Sequence, residues 1–184
     1  VLWFVYEIGY QVENPYPYYP DIFYFAFYPF AIYHLRTNIR YFKSKLSSHQ
    51  KNTIIWIPIG ATLVYAFFGL VPFEASQGID SVVFHPIPEY DFDFYKEYLA
   101  GIAFVFFTTW VFSYAVVGAQ VFRGTMLGNA WGLLLVGFAL NTFGDVRYYF
   151  FELFGIFDRS DIATPLWVAG TIVVCYALYK HRDV

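Results

Sequence analysis

The chain has 184 residues, of which 59% are hydrophobic, 25% are aromatic and only 14% are charged, with a formal net charge of −3. Disorder requires low hydrophobicity and high net charge, so this composition excludes a disordered chain. Soluble domains carry about 25% charged residues, which also disfavours a soluble globule. Nucleic-acid binding is not expected, because there is no excess of positive charge to attract phosphates. The composition predicts an integral membrane protein whose surroundings are the lipid bilayer.

The predicted elements begin with residues 1–12, an apolar stub that is too short for the span of about 20 residues that a bilayer requires. We expect the stub to be the exit half of a helix that starts upstream. Five longer apolar segments follow, at about 21–42, 53–71, 96–122, 127–154 and 162–179. The predicted fold class for residues 1–184 is therefore all-α, a single polytopic transmembrane helix bundle of five full spans plus the N-terminal stub.

The positive charges indicate how such a bundle is oriented. If the five segments alternate in direction, eight of the 11 Lys and Arg residues lie on one side, in the loop 36–52, at Arg123 and at the C-terminus. Thirteen of the 14 acidic residues lie on or toward the other side. Positive loops stay in the cytoplasm, so we expect the loop 36–52 and the C-terminus to be cytoplasmic. The acidic loops 72–95 and 155–161 are then outside.

Small residues on the fourth segment suggest where helices pack closely. Gly128 and Gly132 are four residues apart, and Gly137 follows on the same segment. Such spacing lets two helix backbones approach each other. We expect close packing within the chain at these glycines, and dimerisation through them is the alternative.

Several motifs follow one another along the chain: PYPYYPDIFY at 15–24, YP at 28–29, WGLL at 131–134, and single residues at Gly137, Asp145, Tyr148, Gly155, Asp161, Trp167 and Gly170. Their order resembles that of a multipass membrane sensor domain found in prokaryotic signalling proteins. This resemblance implies that the chain is the C-terminal part of such a domain, in the plasma membrane of a prokaryote. In that family the last helix leads into a cytoplasmic kinase or cyclase, whereas this sequence stops at Val184 without an output domain. A sensor of this kind is expected to act through a partner.

Ionisable residues within membrane segments are candidate functional sites. Asp145 lies 17 residues after Gly128, about 25 Å along a helix, which places it near the outer leaflet. Glu7 is expected at a similar depth and Asn141 one turn deeper, with Arg147 near the interface. This predicted cluster has two interpretations: a ligand-binding or proton-sensing pocket, or a structural network of hydrogen bonds between helices in which Arg147 pairs with an acid.

A second candidate site lies in the loop before the third segment. His85, Glu89, Asp91 and Asp93 combine an imidazole with three carboxylates, a donor set that could ligate a divalent metal. The alternative is a solvated acidic loop without a metal. No cofactor is expected: the histidines do not share a membrane depth as bis-His haem ligation requires. The last segment also has no lysine at mid-membrane for a retinal Schiff base.

The sequence contains no nucleotide-binding, zinc-protease or serine-hydrolase motif, so no enzyme activity is expected. The leading functional prediction is a non-catalytic sensory or ligand-binding membrane module. The alternative is a structural accessory subunit of a larger membrane complex. Both predict protein partners in the membrane.

Overall fold

The computed structural model describes residues 19–43, 45–70, 92–154 and 161–182. Within these ranges the chain forms helices without any strand, in agreement with the predicted all-α class. The helices are α1 (Tyr19–Phe42), α2 (Ser48–Leu70), α3 (Phe92–Phe122), α4 (Gly128–Leu153) and α5 (Ala163–Arg182). The N-terminal stub 1–12 and most of the acidic loop 72–95 lie outside the described residues.

Local hydrogen bonds explain where two helices begin. Before α2, the Ser47 amide donates to Gln50 Oε1 at 3.0 Å and the Gln50 amide donates to Ser47 Oγ at 3.2 Å. This reciprocal capping box starts α2 at Ser48, earlier than the predicted residue 53. Before α5, Asp161 Oδ1 accepts the Ala163 amide at 2.8 Å. The helix starts therefore follow polar caps rather than the apolar runs alone.

Three helices among the described residues, α2, α3 and α5, are long and apolar enough to cross a membrane. The sequence analysis predicted five. Of the other two helices, α1 carries Arg36 and Arg40, and α4 carries Asp145 and Arg147.

The helices pack around α3 and α4. Helix α3 contacts α1, α2 and α4, and α4 also contacts α5 along its length. A stripe of buried residues on α1 faces α3: Tyr28, Ile32, Leu35 and Ile39. Most of the fully buried side chains belong to α3 and α4, which are thus the centre of the bundle.

The α4–α5 contact is formed by small residues. A Cβ atom added at Gly137 would lie 2.6 Å from Val174 Cγ2 and 3.0 Å from the Gly170 carbonyl oxygen. One at Gly144 would lie 2.8 Å from Trp167 Nε1. Gly132, by contrast, has no neighbouring atom within 4 Å of such a Cβ. Of the three glycines predicted to allow close packing, Gly137 lies in the α4–α5 contact and Gly132 does not. A Cβ atom at Gly128 would lie 2.9 Å from the Phe122 carbonyl oxygen.

Candidate functional site

Asp145 lies on the face of α4 where four helices meet. Asp145 Oδ2 accepts hydrogen bonds from Thr108 Oγ1 of α3 at 2.7 Å and from the Tyr28 hydroxyl of α1 at 3.0 Å. Asp145 Oδ1 accepts one from Trp167 Nε1 of α5 at 2.8 Å. One partly buried carboxylate therefore connects its own helix to three others. We call these four residues the Asp145 centre.

Two of the three donors, Tyr28 and Trp167, are positioned by packing as well as by their hydrogen bonds. The Tyr28 ring lies in an aromatic cluster with Phe104 and Phe107 of α3, at centroid distances of 6.1 and 6.5 Å. The Trp167 ring lies against Gly144, where any larger residue would displace it. The donors are held in place by neighbours that are themselves buried or packed, so the geometry of the centre is fixed by the bundle.

The hydrogen bonds extend from the Asp145 centre to one further hydroxyl. Thr108 Oγ1 lies 3.2 Å from Thr142 Oγ1, and Thr142 Oγ1 also lies 3.3 Å from the Thr108 carbonyl oxygen. Thr142 precedes Asp145 by three residues and so lies on the same face of α4. The result is a row of polar groups between α3 and α4.

All the donors to Asp145 are neutral hydroxyl or indole groups. A carboxylate has lone pairs for about four hydrogen bonds, and three are used here. No cation neutralises its charge within the described residues. The carboxylate therefore keeps acceptor capacity for about one further hydrogen bond.

Arg147 does not join this centre and instead forms a second polar contact. Its Nε donates to Asp161 Oδ1 at 2.8 Å and its NH2 nitrogen donates to Asp161 Oδ2 at 2.9 Å. The guanidinium also lies 4.3 Å from the centroid of the Phe151 ring. The hydrogen bonds from Arg147, together with that from the Ala163 amide, hold the pKa of Asp161 below its ordinary value of 3.8.

The predicted cluster of Glu7, Asn141, Asp145 and Arg147 is thus divided. Asp145 and Arg147 are two residues apart on a helix, and such residues face different sides. Asn141 lies on the α5 side, where its Oδ1 faces the backbone of Gly170. Glu7 lies outside the described residues.

The predicted metal ligands lie mostly beyond what the structure describes. His85, Glu89 and Asp91 are outside the described residues, and Asp93 is exposed at the start of α3. Asp93 Oδ1 accepts a hydrogen bond from Lys96 Nζ at 2.9 Å. In the described part of the chain no group of three potential metal ligands comes together.

Sequence reasoning missed the three donors of the Asp145 centre. Thr108 lies in an apolar run where a threonine is common, so its position gave no signal. Tyr28 and Trp167 belong to the motifs that carry the resemblance to sensor domains, but spacing alone did not assign them a partner. Their pairing with Asp145 spans 117 and 22 residues of sequence, respectively, and depends on the helix packing.

Comparison of the chain with protein-family models, with characterised proteins and with solved structures finds no match. The sensor-domain resemblance remains a prediction from the sequence.

Proposed function

We propose that all five helices cross a lipid bilayer. The contacts that support this are regular: Phe104 and Thr108 of α3 contact Tyr149 and Asp145 of α4, so α3 and α4 run antiparallel. Trp167 and Val174 of α5 lie against Gly144 and Gly137 in the same way. Helix α4 thus lies lengthwise between α3 and α5, both apolar enough to span. Its 26 residues extend about 39 Å, more than a bilayer core.

The same argument applies to α1. Phe25 contacts Phe104, and Phe42 contacts Phe122, so α1 runs parallel to α3 from one end of the bundle to the other. Five helices alternating in direction agree with the charge distribution of the sequence. We therefore propose that the loop 36–52 and the C-terminus are cytoplasmic, in the plasma membrane of a prokaryote.

Within this membrane bundle we propose a non-catalytic sensory function, in which the Asp145 centre receives the signal and a partner protein carries it further. The observation that supports it is that one carboxylate is bound by donors from three other helices. A stimulus that changes this carboxylate changes all three contacts together. Packed helices have discrete arrangements, so a local change in their contacts can shift the bundle from one arrangement to another.

The smallest ligand that Asp145 can take is a proton. Protonation converts one acceptor oxygen into an O–H donor, which faces donors already present. Trp167 Nε1 can only donate, so the proton is accommodated on Oδ2, where the Thr108 or Tyr28 hydroxyl can accept it. That hydroxyl then no longer donates to Asp145, and we expect protonation to move α1 and α3 relative to the start of α5.

This proposal is tested by measuring a distance between helices in lipid. Spin labels are attached at Phe23→Cys on α1 and Thr164→Cys on α5, both exposed positions, in a Cys175→Ser background. Pulsed dipolar spectroscopy then compares liposome samples at high and low pH. We expect the distance distribution of the otherwise unchanged protein to shift at low pH.

Two variants decide the role of Asp145. Asp145→Asn removes the titratable group while keeping its size, so the shift should vanish. Asp93→Asn, which removes an exposed acid, should leave the shift unchanged. A pH-independent distance in the parent protein, or a full response in Asp145→Asn, would reject the sensory role of this centre.

A second candidate function, an accessory subunit of a membrane complex, is favoured by the outer face of α1. That face exposes large aromatic side chains: Phe23 at 69%, Phe27 at 52% and Phe30 at 74%. Aromatic residues are enriched where proteins contact one another. Purification in mild detergent, with identification of the chains that co-purify in fixed proportion, tests this function. Recovery of the chain alone would count against it.

A further inference from the structure

The charged side chains of the bundle are separated along its length. The basic end is the end at which α1, α3 and α5 finish and α2 and α4 begin. Its described cations are Arg36, Arg40, Lys43, Lys45, Lys51, Arg123 and Lys180. The carboxylates whose side chains are described lie toward the opposite end: Asp93, Glu97, Asp145, Glu152 and Asp161.

The two ends differ in how their cations are partnered. At the acidic end Lys96 pairs with Asp93 and Arg147 pairs with Asp161. Among the residues whose side chains are described, no cation of the basic end forms an ion pair. The basic end thus carries positive charge that the described part of the bundle does not neutralise.

One stripe of the basic end faces away from the bundle. Tyr33, Arg36 and Arg40 are three and four residues apart on α1, so they share a face. All three are exposed, Tyr33 at 70%. The buried stripe of α1 ends nearby with Leu35 and Ile39, which fixes the rotation of the helix and directs the Tyr33–Arg36–Arg40 stripe outward.

The chemistry of this stripe matches a phosphodiester at a membrane surface. A guanidinium presents a planar fork of donors suited to phosphate oxygens. Arginine side chains near helix ends extend to the headgroup region, and tyrosines favour the same depth. Two arginines and a phenol hydroxyl on one exposed face thus provide donors where lipid headgroups lie.

We propose that the Tyr33–Arg36–Arg40 stripe binds the headgroup of an anionic phospholipid. The inference rests on the proposed membrane-spanning arrangement and is independent of sensing at the Asp145 centre. A basic residue close to an anionic membrane surface strengthens binding by about fivefold. Removing both arginines should therefore weaken the site on the order of tenfold or more.

The test uses the full chain in a neutral detergent. Short-chain phosphatidylglycerol and phosphatidylcholine, each labelled on an acyl chain, are titrated while energy transfer from the protein tryptophans is recorded. We expect tighter binding of phosphatidylglycerol to the parent protein and on the order of a tenfold loss in Arg36→Gln/Arg40→Gln. The matched variant Lys43→Gln/Lys45→Gln, which has the same net charge but leaves the stripe intact, should lose less affinity than the arginine variant.

Each other outcome overturns the proposal. Equal binding of the two lipids by the parent protein would remove the anionic site. Equal losses in the two double variants would indicate diffuse attraction rather than a site on α1. Displacement of the lipid by inorganic phosphate, but not by sodium chloride of equal ionic strength, would assign the site to free phosphate.

A charge-preserving variant separates a loss of lipid binding from a loss of the fold. Arg36→Lys/Arg40→Lys retains both charges but lacks the planar fork, so it should bind phosphatidylglycerol with intermediate affinity. Circular dichroism checks that its helix content is unchanged. Binding as weak as that of the glutamine variant would contradict the electrostatic basis of the site. The pH-dependent distance between α1 and α5 should be the same in all these variants, which separates this proposal from sensing at Asp145.

Discussion

Substituting one glycine of α4 by alanine should destabilise the bundle, whereas the same change five residues earlier should not. A Cβ atom at Gly137 would lie 2.6 Å from Val174 Cγ2 and 3.0 Å from both the Gly170 oxygen and the Val174 nitrogen. Two of these three neighbours are backbone atoms, which cannot rotate away. Helices α4 and α5 must separate to accommodate the methyl group in Gly137→Ala.

The matched control is Gly132→Ala. No atom lies within 4 Å of a Cβ at this position, so the new methyl group meets open space. Both substitutions gain the same helix propensity, up to about 1 kcal/mol. The difference between the two variants therefore isolates the cost of overpacking, which is about 1–3 kcal/mol. Gly132→Ala should be as stable as the parent protein or slightly more stable.

The free energy of unfolding is measured by titrating sodium dodecyl sulfate into the protein in mild micelles while recording circular dichroism. If Gly137→Ala and Gly132→Ala agree to within about 0.5 kcal/mol, the ordinary range for substitutions without a structural consequence, the close α4–α5 contact is refuted. Gly170→Ala provides a second test, since its Cβ would lie 2.8 Å from the Gly137 oxygen. The double variant Gly137→Ala/Gly170→Ala should lose less than the sum of the single losses, because one separation relieves both clashes.

Two further predictions concern polar contacts. The buried Tyr65 hydroxyl donates to the Tyr149 carbonyl oxygen at 3.2 Å, so Tyr65→Phe should lower the free energy of unfolding by about 1 kcal/mol. Tyr33→Phe, which alters an exposed hydroxyl, should leave it unchanged in the same titration. The pKa of Asp161 is lowered by its hydrogen bonds from Arg147, so the stabilisation is present above the ordinary value of 3.8 and is lost as the pH falls through the lowered pKa. Thermal unfolding should show Asp161→Asn less stable than the parent at neutral pH, with the gap closing in acid. A gap of constant size would contradict this.

The helical architecture could be predicted because its signals are local. Apolar runs about as long as a membrane span, separated by helix-breaking residues, predicted five helices close to those observed. The helix starts were less predictable, since a short-range hydrogen bond such as that between Ser47 and Gln50 extends a helix beyond its apolar run. Only α2, α3 and α5 among the described helices meet the length and composition of a membrane span, which spacing and charge did not anticipate.

The candidate site could be predicted only in part. Asp145 is conspicuous as an acid in an apolar segment, and the structure places it among four helices. Its grouping with Arg147 rested on a shared depth in the membrane. Residues two apart on a helix point in different directions, and the structure pairs Arg147 with Asp161 instead. The donors Tyr28, Thr108 and Trp167 depend on the rotation of three other helices, which is set by packing at positions such as Gly144.

The polarity of α4 follows from its position at the centre of the bundle. Its polar residues face neighbouring helices or the segment before α5: Thr142 and Asp145 contact α3, Asn141 faces α5, and Arg147 reaches Asp161. In the five-span arrangement that we propose, these groups would be costly if they faced lipid, and their partners offset that cost. A helix that contributes a hydrogen-bonded centre to three neighbours must carry polar groups within its span. The polar residues that keep α4 from being recognised as a membrane span by composition are thus the residues through which it contacts its neighbouring helices.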